Sequence, residues 1–310
     1  MSVSQINLLL DTVLASFLQT GSISWLYYAD RLSELPLGAF GIAIGTVILP
    51  ALSRQHAGED LKAFGRTLDW AVRMVLLVGV PAALALLLLA EPLIATLFHY
   101  GAMTGDDVSQ SAAALRAYSV GVMTFMLIKV LAPGFFARQD TATPVKIAVV
   151  CLLVNLVLNL ILMGPFKHVG IAMATVISSW LNAGLLTYVL HKRGHFVLDD
   201  RLRHRLPRII LASAGMTAAL ALALTPLGGA LAGSMTERIA ALAALVVGGS
   251  LAIAASLLQS ATRNPLAEPG LLGVNAGAVL GLVIGLIHFG VESTQGYLLW
   301  SGFGALLGNL

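Results

Sequence analysis

The segment of this chain that decides its fold is a long run without charged residues. Residues 74–90 read MVLLVGVPAALALLLLA and form the centre of an apolar stretch at about 69–98. About 20 consecutive apolar residues cross the hydrocarbon core of a bilayer as a helix. Of all 310 residues, 58% are hydrophobic and only 11% are charged, and the mean hydropathy is +0.89. A soluble domain is about 25% charged, so the sequence predicts an all-α, polytopic transmembrane helix bundle.

Further apolar stretches follow one another along the whole chain. They lie at about 3–27, 35–53, 69–98, 108–137, 144–164, 169–190, 208–231, 237–258 and 271–290. A last apolar piece, 296–310, is too short to cross a bilayer comfortably. The sequence therefore predicts eight or nine membrane spans.

Lysine and arginine are concentrated in alternate loops between these stretches. The loops after the second, fourth, sixth and eighth stretches are the basic ones. The richest follows the sixth stretch and carries Lys192, Arg193, Arg201, Arg203, Arg205 and Arg208. Because cytoplasmic loops hold the excess of positive charge, this pattern predicts a cytoplasmic N-terminus and places Arg31 toward the opposite face.

Several functional classes lack their signatures in this sequence. There is no nucleophile–base pair, no zinc-ligand spacing and no glycine-rich phosphate loop, so neither an enzyme nor an organic cofactor is predicted. The single cysteine, Cys151, has no partner for a disulfide. The net charge of +3 is spread over loops without a basic stripe interleaved with aromatics, which argues against nucleic acid as a partner.

Polar side chains at membrane depth are the main functional candidates, because charge inside a span is costly. Asn7 and Asp11 are four residues apart on one helix face, and Asn155 and Asn159 repeat that spacing in the fifth span. The sixth span adds Thr175, Ser178, Ser179 and Asn182. Such oxygens suit a hard cation such as Na⁺. The alternative is hydrogen bonding between helices, against which the carboxylate of Asp11 argues.

A second polar candidate is the aromatic and charged segment WLYYADRLSE at 25–34. Aromatic residues mark a membrane interface, so one interpretation makes Arg31 an interfacial anchor. In the other interpretation Arg31 lines a cavity and binds an anionic group, because a guanidinium presents a fork of donors that suits phosphate. Asp30 and Glu34 would then orient Arg31 between cycles.

Six segments of the chain carry recognisable motifs. They read SQIN (4–7), ASFL (15–18), WLYYADRL (25–32), GTVILPALS (45–53), KVLAPGFFARQD (129–140) and TPVK (143–146). They resemble, in the same order over about 2–245, the lipid II flippase family (MurJ or MviN) of the multidrug/oligosaccharidyl-lipid/polysaccharide (MOP) exporter superfamily. The resemblance implies that 1–247 is the second lobe of such a flippase, and that its partner, an N-terminal lobe of six helices, is missing from this chain.

This resemblance implies a transport function in bacterial cell wall biogenesis. Members carry the undecaprenyl-pyrophosphate-linked peptidoglycan precursor across the cytoplasmic (inner) membrane by rocking two helix bundles around a cationic cavity. Arg31 matches a cavity arginine and is accompanied by Asp30 and Glu34. The sodium site known in some members falls on Asp11, Asn155, Asn159 and Thr175, where Asn159 stands in place of a carboxylate found in some relatives. A single lobe is expected to be incomplete as a flippase.

The C-terminal part carries a different set of motifs. Residues 249–254 read GSLAIA and residues 262–278 read TRNPLAEPGLLGVNAGA. They resemble the early helices of the FecCD-type permeases of iron–siderophore ABC transporters, which gives a domain boundary near 247/248. The alternative function is therefore a permease subunit of an ABC importer. The flippase resemblance covers most of the chain and the permease resemblance only its end, which favours the first.

Overall fold

The computed structural model describes residues 3–38, 42–194, 196, 200–231, 233–234, 237–243 and 245. The main elements in this part of the chain are α1 (Val3–Ser16), α2 (Ser22–Pro36), α3 (Ile42–Ala57), α4 (Leu61–Phe98), α5 (Gly105–Phe136), α6 (Ala142–Lys192) and α7 (Asp200–Leu231). The predicted all-α fold is confirmed. The predicted span at 271–290 and most of that at 237–258 lie outside the described residues.

Three of the described helices, α4, α5 and α6, are long and apolar enough to cross a membrane. Their outward faces are apolar, as lipid requires. On α6, for example, Leu153, Val157, Leu160 and Ile161 are each more than half exposed. A soluble monomer rarely exposes such a continuous apolar stripe to water, whereas a membrane protein exposes it to the lipid chains of the bilayer.

The first predicted span, 3–27, is wrong as a single helix. α1 ends at Ser16, and α2 begins at Ser22 after a turn. Gly21 has a left-handed backbone with φ 101°, and a Cβ there would come within 2.7 Å of the Trp25 ring. Only glycine meets both conditions at low cost. The turn is apolar, so hydropathy alone does not register the break.

Two other boundaries also differ from the sequence prediction. The second span was expected at 35–53, but α2 continues to Pro36 and α3 runs from Ile42 to Ala57. α4 begins at Leu61 rather than near 69. At this beginning, the Ala63 N–H donates to the Asp60 carboxylate at 2.8 Å. Its first two turns are polar, so a search for apolar stretches misses them although the helix is capped in the usual way.

The long element α6 consists of two helices that fold back on each other. Lys167 has non-helical angles (φ 51°, ψ −131°) two residues after Pro165. Asn155 contacts Ser178 at 3.4 Å, although 23 residues of straight helix would span about 35 Å. The predicted separation into spans at 144–164 and 169–190 matches this turn.

The chain divides into two compact units, residues 1–90 with 100–209 and residues 91–99 with 210–310. In the first unit, α5 packs against α6, α2 and α3, and α1 packs against α6 and α2. A buried hydrogen bond of 2.7 Å joins Thr124 on α5 to Ser179 on α6. In the second unit, Arg238 Nη1 lies 3.4 Å from His99 Nδ1. All candidate functional residues belong to the first unit.

Candidate functional site

The carboxylate of Asp11 is the centre of a buried polar network. Its side chain is only 8% exposed. Asn159 Nδ2 donates to Oδ1 at 2.7 Å, while Thr175 Oγ1 and Asn7 Nδ2 donate to Oδ2 at 3.0 and 3.2 Å. Asn7 is the neighbour one turn earlier on α1, whereas Asn159 and Thr175 come from the two halves of α6. The carboxylate therefore joins three helical segments.

The two asparagines of α6 extend the network away from Asp11. Asn159 Nδ2 also donates to Asn155 Oδ1 at 2.9 Å. Asn155 Nδ2 in turn lies 3.3 Å from Thr175 Oγ1 and 3.4 Å from Ser178 Oγ. The structure thus brings Asp11, Asn155, Asn159 and Thr175 together. Asn7 and Ser178 complete the network, and the spacing of Asn7 from Asp11 is the sequence signal for the first of these.

The fold of α6 explains why these side chains meet. Asn155 and Asn159 are one turn apart and point the same way, and the turn at Lys167 returns the chain so that Thr175 and Ser178 face them. α1 packs against α6 and supplies Asp11. Both asparagines are at most 1% exposed, so the polar face of each helix points into the lobe and the apolar faces point outward.

The electrostatics of this network are unbalanced. Among the described residues, no lysine or arginine contacts the Asp11 carboxylate, and its three partners are neutral donors. The Oδ1 atom of Asn159 is buried and accepts no hydrogen bond in the described part of the chain. A buried charge needs a counter-charge or neutralisation. The network therefore combines an uncompensated carboxylate with an unused amide oxygen, and carboxylate, amide and hydroxyl oxygens are ligands that hard cations prefer.

The second candidate cluster lies on α2 and is built locally. Arg31 Nη1 donates to Glu34 Oε2 at 2.9 Å, and its guanidinium carbon lies 4.9 Å from the centre of the Tyr27 ring. The side chains of Arg31 and Glu34 are 54% and 50% exposed. Asp30 is half-buried on the same helix. The cluster leaves a guanidinium accessible to an anionic ligand, and its predicted role in substrate binding stays a prediction.

The sequence analysis did not predict a hydrogen-bonded ion pair between Arg193, after α6, and Asp140, after α5. Arg193 Nη1 donates to Asp140 Oδ2 at 2.5 Å, and the Thr143 hydroxyl donates to the same oxygen at 2.7 Å. The hydrogen bond from Arg193, followed by that from Thr143, lowers the pKa of Asp140 to about 2. Both residues stand in polar connections, so their separate positions in the sequence carry no sign of the contact.

Comparison with known proteins shows which families share this sequence and this fold. The lipid II flippase MurJ family model matches residues 1–260. A probable lipid II flippase MurJ of Vibrio cholerae is 48% identical over 262 residues, which are 84% of this chain and 50% of that protein. The lipid II flippase MurJ of Burkholderia cenocepacia is 43% identical over 193 residues, 62% of this chain and 37% of that protein. The chain spans about half the length, or less, of these curated relatives.

Solved structures and a second family model also match this chain. A lipid II flippase MurJ in an inward closed conformation matches with a TM-score of 0.69 and 26% identity, covering 84% of this chain and 52% of that one. An outward-facing MATE family transporter of the MOP superfamily matches in fold alone, with a TM-score of 0.55 and 18% identity over 99% of this chain and 74% of that one. The FecCD transport family model matches residues 236–310.

The helical fold of this lobe is thus the fold of the solved lipid II flippase MurJ, and in fold alone also that of the MATE family transporter of the MOP superfamily. The chain belongs to the lipid II flippase MurJ family, because the family model covers more than half of its length. The FecCD match overlaps the flippase match at 236–260. Of that overlap, the structure describes 237–243 and Leu245.

Proposed function

We propose that this chain supplies the second lobe of a flippase for the undecaprenyl-pyrophosphate-linked peptidoglycan precursor, lipid II. The observation that carries the proposal is the family match over 1–260, supported by relatives that are named lipid II flippases. The function is transport without a chemical step. Alternating access needs two bundles around a shared site, so the chain is expected to act with a six-helix N-terminal lobe.

Arg31 is the residue proposed to bind the pyrophosphate. Its guanidinium is half exposed and is already held in place by Glu34 and the Tyr27 ring. A phosphate would replace the Glu34 carboxylate in a charge-assisted hydrogen bond of the same kind. Glu34 thus keeps Arg31 oriented and compensated when no substrate is bound, and Asp30 is the second carboxylate available to it.

The Asp11 network is proposed as a Na⁺ site. Asp11, Asn155, Asn159 and Thr175 would hold the ion, because they converge within one hydrogen-bonded cluster and leave one amide oxygen unused. A bound monovalent cation would neutralise the Asp11 carboxylate. Since Asp11 lies on α1 and the other ligands on α6, occupancy is expected to hold α1 against α6 and so to favour one arrangement of the lobe over another.

The orientation proposed for the lobe follows the distribution of basic residues, with the N-terminus in the bacterial cytoplasm. Ala57, the last residue of α3, should then be accessible from the cytoplasm, and Gly101, before α5, from the periplasm. Cysteine substitution at each position, followed by labelling with an impermeant maleimide, checks this. Labelling of both from the same side would contradict the orientation.

The FecCD match supports a second candidate, a contribution to an ABC-importer permease. It rests on residues 236–310 alone, and it would require an ATPase and a substrate-binding protein. Loss of growth on a siderophore as the iron source, after deletion of the gene that encodes this chain, would favour it.

A genetic complementation assay tests whether this chain acts as a flippase by itself or only together with an N-terminal lobe. A flippase-depleted strain should not grow with residues 1–310 alone, and should grow when the six N-terminal helices of a relative are co-expressed. Growth with residues 1–310 alone would mean either that a second copy of this chain supplies the other lobe or that the two-lobe mechanism is wrong for this protein. Failure of both arms, with normal membrane levels of each protein, would contradict the proposed function.

A further inference from the structure

A groove opens between the end of α3 and the beginning of α4. It is a cavity of about 280 Å³ lined by Gln55, Ala63, Arg66, Thr67 and Trp70. The four residues from α4 are spaced at i, i+3, i+4 and i+7, so they form one face of that helix. Gln55 faces them from α3 and is fixed there, because its Nε2 atom donates to Thr67 Oγ1 at 2.9 Å.

The lining of the groove is rich in hydrogen-bond donors that have no acceptor. Among the described residues, Arg66 makes no ion pair, and the Trp70 indole N–H makes no hydrogen bond. Thr67 accepts from Gln55 and keeps its own hydroxyl proton free for donation. No acidic residue lines the cavity. A guanidinium, a hydroxyl and an indole N–H around one space are a donor set for an anion.

One acceptor at the groove is also unused. Gln55 Oε1 is buried and has no hydrogen-bond partner within the described residues. A buried polar atom left in this state is costly unless a ligand or water satisfies it. The groove therefore suits a ligand that carries an anionic group together with a hydrogen-bond donor, toward which the Gln55 amide would turn its buried oxygen.

The position of the groove along α4 indicates where that ligand resides. Trp70 is 44% exposed and lies at the start of the apolar stretch of α4, one turn before the charge-free run that begins at Met74, which is the position that tryptophan takes at membrane interfaces. Arg66 lies one turn earlier, about 6 Å further from the apolar core. This is the level of lipid headgroups.

We propose that this groove is a binding site for a glycerophospholipid headgroup whose terminal group donates hydrogen bonds, such as ethanolamine or glycerol. Arg66, Thr67 and Trp70 bind the phosphodiester, and Gln55 Oε1 accepts from the terminal ammonium or hydroxyl. The site is separate from the Asp11 network and from Arg31, and it does not depend on lipid flipping. A lipid held there fixes the connection between α3 and α4 against the bilayer.

The test is a titration of the purified full chain in detergent with short-chain phospholipids, followed by calorimetry. Phosphatidylethanolamine and phosphatidylglycerol should bind saturably. Phosphatidylcholine has the phosphodiester but no donor on its terminal group, and should bind at least about tenfold more weakly. Inorganic phosphate and glycerophosphoethanolamine are titrated as ligands without acyl chains, to compare the phosphate and the headgroup alone with the whole lipid. Equal affinity for phosphatidylcholine, or affinity for inorganic phosphate equal to that for the lipids, would overturn the proposal.

Two variants distinguish the groove from general attraction of lipids to a basic surface. Arg66→Gln should weaken phosphatidylethanolamine binding about tenfold or more. Arg54→Gln removes an exposed arginine in the last turn of α3 that does not line the cavity, and should leave binding unchanged. Equal weakening by both would mean that only surface charge attracts the lipid.

A cooperative thermal unfolding transition, measured for each variant without lipid, shows that the variant folds. If Arg66→Gln does not fold, Thr67→Val takes its place, because it nearly preserves the shape while it removes the hydroxyl that donates to the ligand and accepts from Gln55. A loss of affinity of about three- to tenfold in Thr67→Val would support the site. Unchanged affinity in a folded Thr67→Val would contradict it.

Discussion

Asp11 and the Arg31–Glu34 pair lie on consecutive helices, α1 and α2, yet their charges are held in opposite ways. Asp11 is buried, and two of its three donors come from elsewhere in the chain. Arg31 and Glu34 are about half exposed and compensate each other within one helix. Exposed pairs contribute about 0–1 kcal/mol, whereas a hydrogen bond to a buried charge contributes about 1.5–3 kcal/mol. The first region should therefore determine stability, and the second should be free to serve a ligand.

The largest effect on stability is expected from Asn159→Ala. This change removes the donor to Asp11 Oδ1 and to Asn155 Oδ1, and both oxygens stay buried. The free energy of unfolding should fall by about 2–4 kcal/mol, measured by chemical denaturation in detergent. The matched control is Leu160→Ala, because Leu160 is the next residue of the same helix and is 60% exposed. A loss of stability in Asn159→Ala no greater than in Leu160→Ala would contradict the importance of the network.

Double-mutant cycles compare the two regions directly. Asp11→Asn combined with Asn159→Ala should show a coupling energy of about 1–3 kcal/mol, because the two side chains contact each other in a buried site. Arg31→Gln combined with Glu34→Gln should show a much smaller coupling energy, because solvent screens this exposed pair. Similar coupling in the two cycles would mean that burial does not separate these regions.

The spacing of polar residues in the sequence predicted which residues belong to the network, but it did not predict that they contact one another in the folded chain. Asn7 with Asp11, and Asn155 with Asn159, are one helical turn apart, so the sequence alone places each pair on one face. That α1 and the two halves of α6 bring these faces together depends on tertiary packing, and only the family resemblance indicated it. The unused oxygen of Asn159 is a property of the folded network and has no counterpart in the sequence.

The helices show the same division between local and tertiary signals. The apolar length of α4 and α5 made them recognisable as spans, and the polar residues around 165–168 marked the turn in α6. The turn between α1 and α2 escaped detection because it lies inside an apolar run and depends on the backbone of Gly21. The Arg193–Asp140 contact joins residues 53 positions apart, which no local pattern records.

A smaller effect is expected from pH at the Arg193–Asp140 contact. The folded pKa of Asp140, about 2, is below its ordinary value of 3.8. The resulting stability is therefore fully present above about pH 4 and is lost as the pH falls through 2. Because the Arg193 side chain is 45% exposed, the contribution should be only about 1 kcal/mol.

This contribution is measured by comparing unfolding of the parent chain and of Asp140→Asn between about pH 6 and pH 3. The difference in stability between the two proteins should narrow as the pH falls. A difference that is constant over this range would show that the carboxylate does not act through its charge.

The smallest effect on stability, and a large one on function, is expected from Arg31→Ala. The free energy of unfolding should be unchanged within the error of the measurement, because the side chain is exposed. With the six-helix lobe co-expressed, the same variant should fail to support growth of a flippase-depleted strain at normal membrane levels. Full growth of that strain would leave Arg31 as an interfacial anchor only.

The most direct test of the account is the melting temperature of the purified chain in increasing NaCl, compared with choline chloride at the same ionic strength. A ligand at about 100 times its dissociation constant stabilises a protein by about 2.7 kcal/mol. Na⁺ should therefore raise the melting temperature where choline does not, and the isosteric variant Asp11→Asn should abolish the difference. Equal melting in the two salts, or a Na⁺ effect that persists in Asp11→Asn, would contradict the assignment of a cation to this network.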